Sequence, residues 1–179
     1  MCHYVLDSCC HAFVNQYEKE TGVTHPDIEG EFDRYLLESL GLDPYKTDLV
    51  ERFLPTRSYA EIIAPFTQSI SSGTTFDALK GFRFYRKVFH CPNAFKRTIL
   101  YTLLKLAGKY DKYRGQIINV KPYDNCEESD KKLYILLHEQ VTVCIELIAS
   151  LYQCADTGDL SSLINRERLA PTFDGVIEI

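Results

Sequence analysis

The chain has 179 residues, of which 45% are hydrophobic and 25% charged, with a net charge of −5. That content is too apolar for a disordered polar chain, and the length suits one domain with a real core better than two. Seven cysteines, at 2, 9, 10, 91, 126, 144 and 154, are odd in number and follow no secretory signal pattern, so a reduced cytoplasmic or nuclear protein is expected and a disulfide scaffold is not.

Residues 3–20 place Leu6, Cys9, Cys10, Phe13, Val14 and Tyr17 at helical spacing, and Gly22 then offers a stop. A second helix follows Pro26, with Ile28, Phe32, Tyr35, Leu36 and Leu40 on one stripe and Gly41 as its C-terminal cap. Asp43 and Pro44 have the form of an N-cap and first residue for a third helix through Leu54. Ser58 and Glu61 form a capping-box pattern for a fourth, whose apolar side is Ile62, Ile63 and Phe66 and which Pro65 shortens. Thr67 to Thr75 reads as a loop.

The fifth helix is expected over about Phe76–Phe89, and the sixth from Asn93 to between Gly108 and Gly115. Gln116 to Val120 is short and β-branched enough for an extended segment or lone strand. The longest element is expected over about 129–154, where Leu133, Leu137, Val141, Cys144, Ile148 and Leu151 make the stripe of a buried central helix. Two glutamates and a histidine interrupt it, so a core helix is expected there instead of a membrane span. Asp159 caps a last short helix to Leu169, Pro171 stops it, and 171–179 form a tail. The expected fold is all-α: one compact domain over 1–170, with seven or eight helices packed around the 129–154 helix.

Charge is segregated along the chain. Residues 80–114 carry ten Lys and Arg against Asp111 alone, net +9, which leaves −14 for the remainder. On helix five, Lys80, Arg83, Arg86, Lys87 and His90 share an arc opposite Phe82, Tyr85, Val88 and Phe89. On helix six, Phe95, Ile99, Leu103, Leu106 and Tyr110 make the expected core stripe, and Arg97, Lys105, Lys109 and Lys112 lie opposite. A hairpin through Cys91-Pro92 merges these basic faces into one surface for an acidic partner. The leading reading is a non-enzymatic regulatory or adaptor protein that docks an acidic protein there. The second is RNA or DNA binding by the same cations, with Tyr101, Tyr110 and Tyr113 stacking on unpaired bases. Pairing of the basic and acidic segments of two copies leaves homo-oligomers open.

Chemistry finds less support. Cys2, His3, Cys9, Cys10 and His11, with His90-Cys91, are zinc-compatible types, but no Cys-x-x-Cys occurs and adjacent residues do not readily ligate one tetrahedral ion, so no metal is expected. His138-Glu139-Gln140-Val141-Thr142 has Thr where a metalloprotease helix needs its second histidine, and Gly108-Lys109 lacks the Ser or Thr of a phosphate loop. No cofactor is expected. A Cys/His enzyme built on Cys91 or Cys10 is the third reading.

Overall fold

The computed structural model describes residues 2–67 and 70–159, and every regular element among them is helical. In chain order they are α1 (Cys2–Thr21), α2 (His25–Ser39), α3 (Arg57–Ile63), α4 (Ser72–Phe89), α5 (Ala94–Leu106), α6 (Tyr110–Tyr113) and α7 (Glu127–Thr157), with 3-10 turns at Ala64–Phe66 and Arg114–Gln116. The expected last helix to Leu169 and the tail lie outside the described residues. The chain divides into two units, one formed by the residues through Leu36 and from Pro122 onward, the other by Leu37–Lys121.

The first unit is organised by α1 running antiparallel to α7. Near the start of α1, Val5 packs with Cys144 and Leu147; further along, Val14 and Tyr17 join Val23, Ile28, Cys126, Leu133 and Leu136. The Tyr17 hydroxyl donates to the Asn125 carbonyl, which fixes the entry to α7, and Gly22 ends α1 at φ +75°, a conformation that favours glycine. The α7 positions that are buried, among them Leu133, Leu136, Gln140, Cys144, Leu147 and Cys154, recur every three or four residues, the spacing of one helix face. Burial is thus confined to one side, rotated from the expected stripe: Leu136 and Leu147 are buried, while Val141 and Ile148, expected inside, are exposed together with Ile135, Ile145 and Tyr152. By length and composition alone α7 is long and apolar enough to cross a membrane, its most apolar 18-residue stretch averaging a hydropathy of 1.4.

Set among these apolar residues is a charged cluster. Glu31 and Arg34 are buried one turn apart on α2, and Arg34 donates to Glu31 Oε1 through Nε at 2.8 Å and also through Nη2. Asp130 is buried in the first turn of α7, and neither Asp130 Oδ1 nor Glu31 Oε2 has a hydrogen-bond partner. Burial, and secondarily the Glu31 charge, push the Asp130 carboxyl up to about 7, with Arg34 opposing. The same burial and neighbouring carboxylates raise the Cys126 thiol to about 11.

In the second unit the expected third helix is replaced by turns. Asp43 Oδ1 accepts from the Tyr45 and Lys46 amides at 2.9 and 3.2 Å, and Asp48 Oδ1 accepts from Val50 at 3.0 Å. These local bonds give the backbone an alternative to the helical ladder, so Asp43 starts a turn where an N-cap was expected. Thr56, not Ser58, caps α3, accepting from Tyr59 N at 3.2 Å, and Pro65 ends the helix as expected. The side chains expected inside lie outside: Ile62 on α3 and Phe66 in the 3-10 turn after it are exposed, and Ala60 is the buried residue of α3. The expected loop is shorter, because Ser71 caps α4 through Thr74 N at 3.1 Å and starts the helix at Ser72. Ile117 is extended and buried, but no strand forms among the described residues.

Two outcomes follow. Leu147→Ala, at a fully buried contact between α1 and α7, destabilises the protein by about 2–5 kcal/mol in urea titrations. Because the folded pKa of Asp130 lies above its ordinary 3.8, the folded state holds a proton that the unfolded state has released; stability is therefore greatest below about pH 4 for this group and falls as pH rises towards 7. Thermal midpoints of Asp130→Asn and wild type, compared between pH 5 and 8, show the slope flattened in the variant, the difference being at most about 1.4 kcal/mol per pH unit.

Candidate functional site

The basic segment lies wholly in the second unit. Helix α4 places Arg86 and Lys87 in its last turn, where the aligned peptide dipoles favour cations, and α5 begins at Asn93, whose Oδ1 accepts from Lys96 N at 2.9 Å as expected of an N-cap. The connection is held by the first turn of α5. Lys96 Nζ donates to the carbonyls of Lys87 and His90 at 2.8 and 2.6 Å, and Arg97 Nη2 donates to that of Cys91 at 3.0 Å. Carbonyls at and just beyond a helix C-terminus lack intrahelical donors, and these two side chains supply them.

Behind this turn Phe89, Cys91 and Ile117 form the buried centre, with Val88, Leu100, Tyr101, Leu104 and Tyr113 against it. The expected core stripe of α5 is therefore on the wrong side. Phe95 and Leu106 are 77% and 81% exposed, and Ile99 and Leu103 are also exposed. The reason is that α5 is apolar over more than one face, and the Leu100, Tyr101 and Leu104 side is the one that meets Phe89 and Ile117. On α4, likewise, Phe82 and Tyr85 are exposed while Phe89 is buried.

What opens between α4 and α5 is an apolar groove. Phe84, Val88, Ile99, Leu100 and Leu103 line it, with Lys87 and Lys96. Phe84 is 72% exposed, a large aromatic surface left in water beside the groove.

The cations expected to form one surface are used in different ways. Arg86 donates to Gln116 Oε1 at 3.2 Å, and the Arg97 guanidinium sits 5.1 Å from the Tyr45 ring, so both help to build the unit. Arg83 is half-buried, with Nε shielded and lacking a hydrogen-bond partner. Lys80 pairs with Asp77 at 2.7 Å, which holds that carboxyl below its usual range. Lys105 and Lys112 lie over the Tyr110 and Tyr113 rings, and Lys87 and Lys109 are exposed. Within this unit, among the described residues, Lys87, Lys105, Lys109 and Lys112 have no carboxylate within ion-pair reach. The tyrosines expected as stacking platforms pack on their neighbours: Tyr101 meets Tyr110 edge-on at 5.4 Å, and Tyr113 lies 6.0 Å from Phe89.

A second cavity, of about 30 Å³, is lined by Tyr45, Asp48, Arg86, His90, Cys91 and Arg97. It has room for one or two water molecules. His90 Nε2 donates to the Tyr45 carbonyl at 2.9 Å, and burial raises the Cys91 thiol against the pull of Lys96 and Arg97. A nucleophilic cysteine needs the opposite, a depressed pKa and a histidine free to take its proton.

No family model matches the chain, and no curated protein or solved structure is significantly similar to it.

Cys91 in the native protein resists iodoacetamide at pH 7.5 and labels fully in denaturant, as followed by peptide mass spectrometry. Rapid native labelling at Cys91 contradicts the buried, protonated thiol.

Proposed function

We propose that this protein is a non-enzymatic regulatory or adaptor protein that docks an acidic partner protein on the α4–α5 face of its second unit. The observation that carries the reading is the groove lined by Phe84, Val88, Ile99 and Leu103, which has Lys87 and Lys96 at hand and further cations on the same helices. An exposed apolar strip flanked by uncompensated lysines is complementary to an amphipathic segment that carries Leu or Phe anchors beside Asp and Glu. Burial of the anchors supplies affinity, and the lysines select acidic partners and speed encounter.

Nucleic acid would use the cations but not the apolar strip, and the packed tyrosines remove the stacking surfaces that reading relied on. The raised Cys91 thiol, beside a His90 whose Nε2 is engaged by the Tyr45 carbonyl in a pocket of water size, weighs against the enzyme reading. A cytoplasmic or nuclear setting, in keeping with the many thiols, belongs to the same proposal.

Fluorescence polarisation with a labelled helical peptide of alternating Leu and Glu faces tests it, with polyglutamate and single-stranded RNA as comparisons. The peptide binds best; Ile99→Asp/Leu103→Asp weakens it at least tenfold, or about 1.4 kcal/mol, and Lys87→Glu weakens it less while reducing its salt dependence. RNA binding with a steep salt dependence and no peptide binding would replace this reading with the nucleic-acid one.

A further inference from the structure

The first unit brings together three side chains that no motif spacing connects. His11 lies on α1, and His25 and Glu29 lie one turn apart at the start of α2. His25 Nε2 is 3.0 Å from Glu29 Oε1, and His11 Nε2 is 3.9 Å from the same oxygen. One donor atom from each of the three residues lies within 4.8 Å of the others, and the two imidazole rings meet edge-on with centroids 5.0 Å apart.

We propose that His11, His25 and Glu29 form a binding site for Zn²⁺ that ties α1 to α2. Two imidazoles and one carboxylate are a donor set that zinc accepts, and bonds of about 2.1 Å in a tetrahedron place neighbouring ligand atoms about 3.4 Å apart. The 3.0 and 3.9 Å separations to Glu29 bracket that value and the two histidines' donor atoms lie within 4.8 Å of each other, so side-chain adjustments on the order of 1 Å close the site.

The support around the ligands is already in place. His25 Nδ1 lies 3.2 Å from Asn15 Oδ1 on α1, an acceptor that places the ring proton on Nδ1 and turns the Nε2 lone pair towards Glu29 and His11. The Glu18 carboxylate accepts from the His25 backbone N–H at 3.1 Å, which offsets the positive end of α2 that a cation would otherwise meet. His11 and His25 are half-buried and Glu29 is exposed, so the site has a protein floor and an open side through which the ion enters. Three protein donors leave one tetrahedral position for water.

Cys2, His3, Cys9, Cys10 and His11 are crowded along one short stretch of sequence, a spacing that does not suit one tetrahedral ion. Folding instead supplies His11 with partners from the next helix, across the turn at Gly22.

The test is titration of the chelator-treated full chain with Co²⁺, followed by displacement with Zn²⁺. One equivalent of Co²⁺ is expected to give the visible bands of a four- or five-coordinate ion, without the near-ultraviolet charge-transfer band of a thiolate ligand. Zn²⁺ should abolish those bands. Glu29→Gln and His25→Gln each weaken binding at least tenfold, and Cys9→Ser/Cys10→Ser leaves it unchanged. The Glu29 side chain is 52% exposed, so Glu29→Gln is expected to keep native far-ultraviolet dichroism and to report on the ligand alone. A silent visible spectrum at saturating Co²⁺, a thiolate band, or wild-type affinity in folded Glu29→Gln overturns the proposal.

Discussion

Two cations in the first turn of α5 bond to three carbonyls at and just beyond the end of α4, and the surface of the second unit follows from that contact. Lys96 bridges the Lys87 and His90 carbonyls while Arg97 holds that of Cys91. Helix ends carry unsatisfied carbonyls, and a bond from a charged donor is stronger than one between neutral groups. The turn is thereby fixed with Phe89, Cys91 and Ile117 inside it, and Leu100, Tyr101 and Leu104 are drawn to that centre. The rest of the apolar surface of α5 has nowhere to go within the unit. Ile99 and Leu103 turn to the groove with Phe84 and Val88, while Phe95 and Leu106 stay exposed. A connection that satisfies its backbone thus creates the apolar strip, and the same sequence surrounds that strip with positive charge.

The first unit solves a different problem. Its antiparallel α1 and α7 bury Val5, Val14, Leu133 and Leu147, but they also enclose Glu31, Arg34 and Asp130. Buried charges of this kind add little net stability compared with well-packed apolar residues, and removing one partner is costly. With more carboxylates than guanidinium groups in the cluster, a proton on Asp130 relieves the excess negative charge. The acidity of this unit is therefore partly internal.

Much of the fold was legible in the sequence because helices announce themselves by period and by punctuation. Gly22 and Gly41 both adopt positive φ at helix ends, Asn93 caps α5, and the expected 129–154 helix falls inside α7, although its buried face is not the expected stripe. The failures have specific causes. Asp43-Pro44 resembles a helix start, but Asp43 and Asp48 form local turns, a competition that periodicity does not register. The amphipathic wheel of α5 suggests one core face, yet Phe95, Ile99, Leu100, Leu103, Leu104 and Leu106 cover more of the helix than a single contact can bury. That excess was visible in the sequence and was the available sign of an exposed groove. Which of the ten cations in 80–114 would build the turn, and which would face water, depends on carbonyl positions that only the fold defines. The pairing of His11 with His25 and Glu29 depends likewise on how α2 returns beside α1.

The most direct measurement of the central claim is the change in backbone amide chemical shifts of labelled protein on titration with the Leu/Glu helical peptide. The account predicts shifts concentrated at Phe84, Lys87, Val88, Ile99 and Leu103, growing with peptide concentration, while α1 and α7 stay unperturbed. Shifts that track only the exposed lysines of α5 and α6, or that map to the first unit, would contradict it.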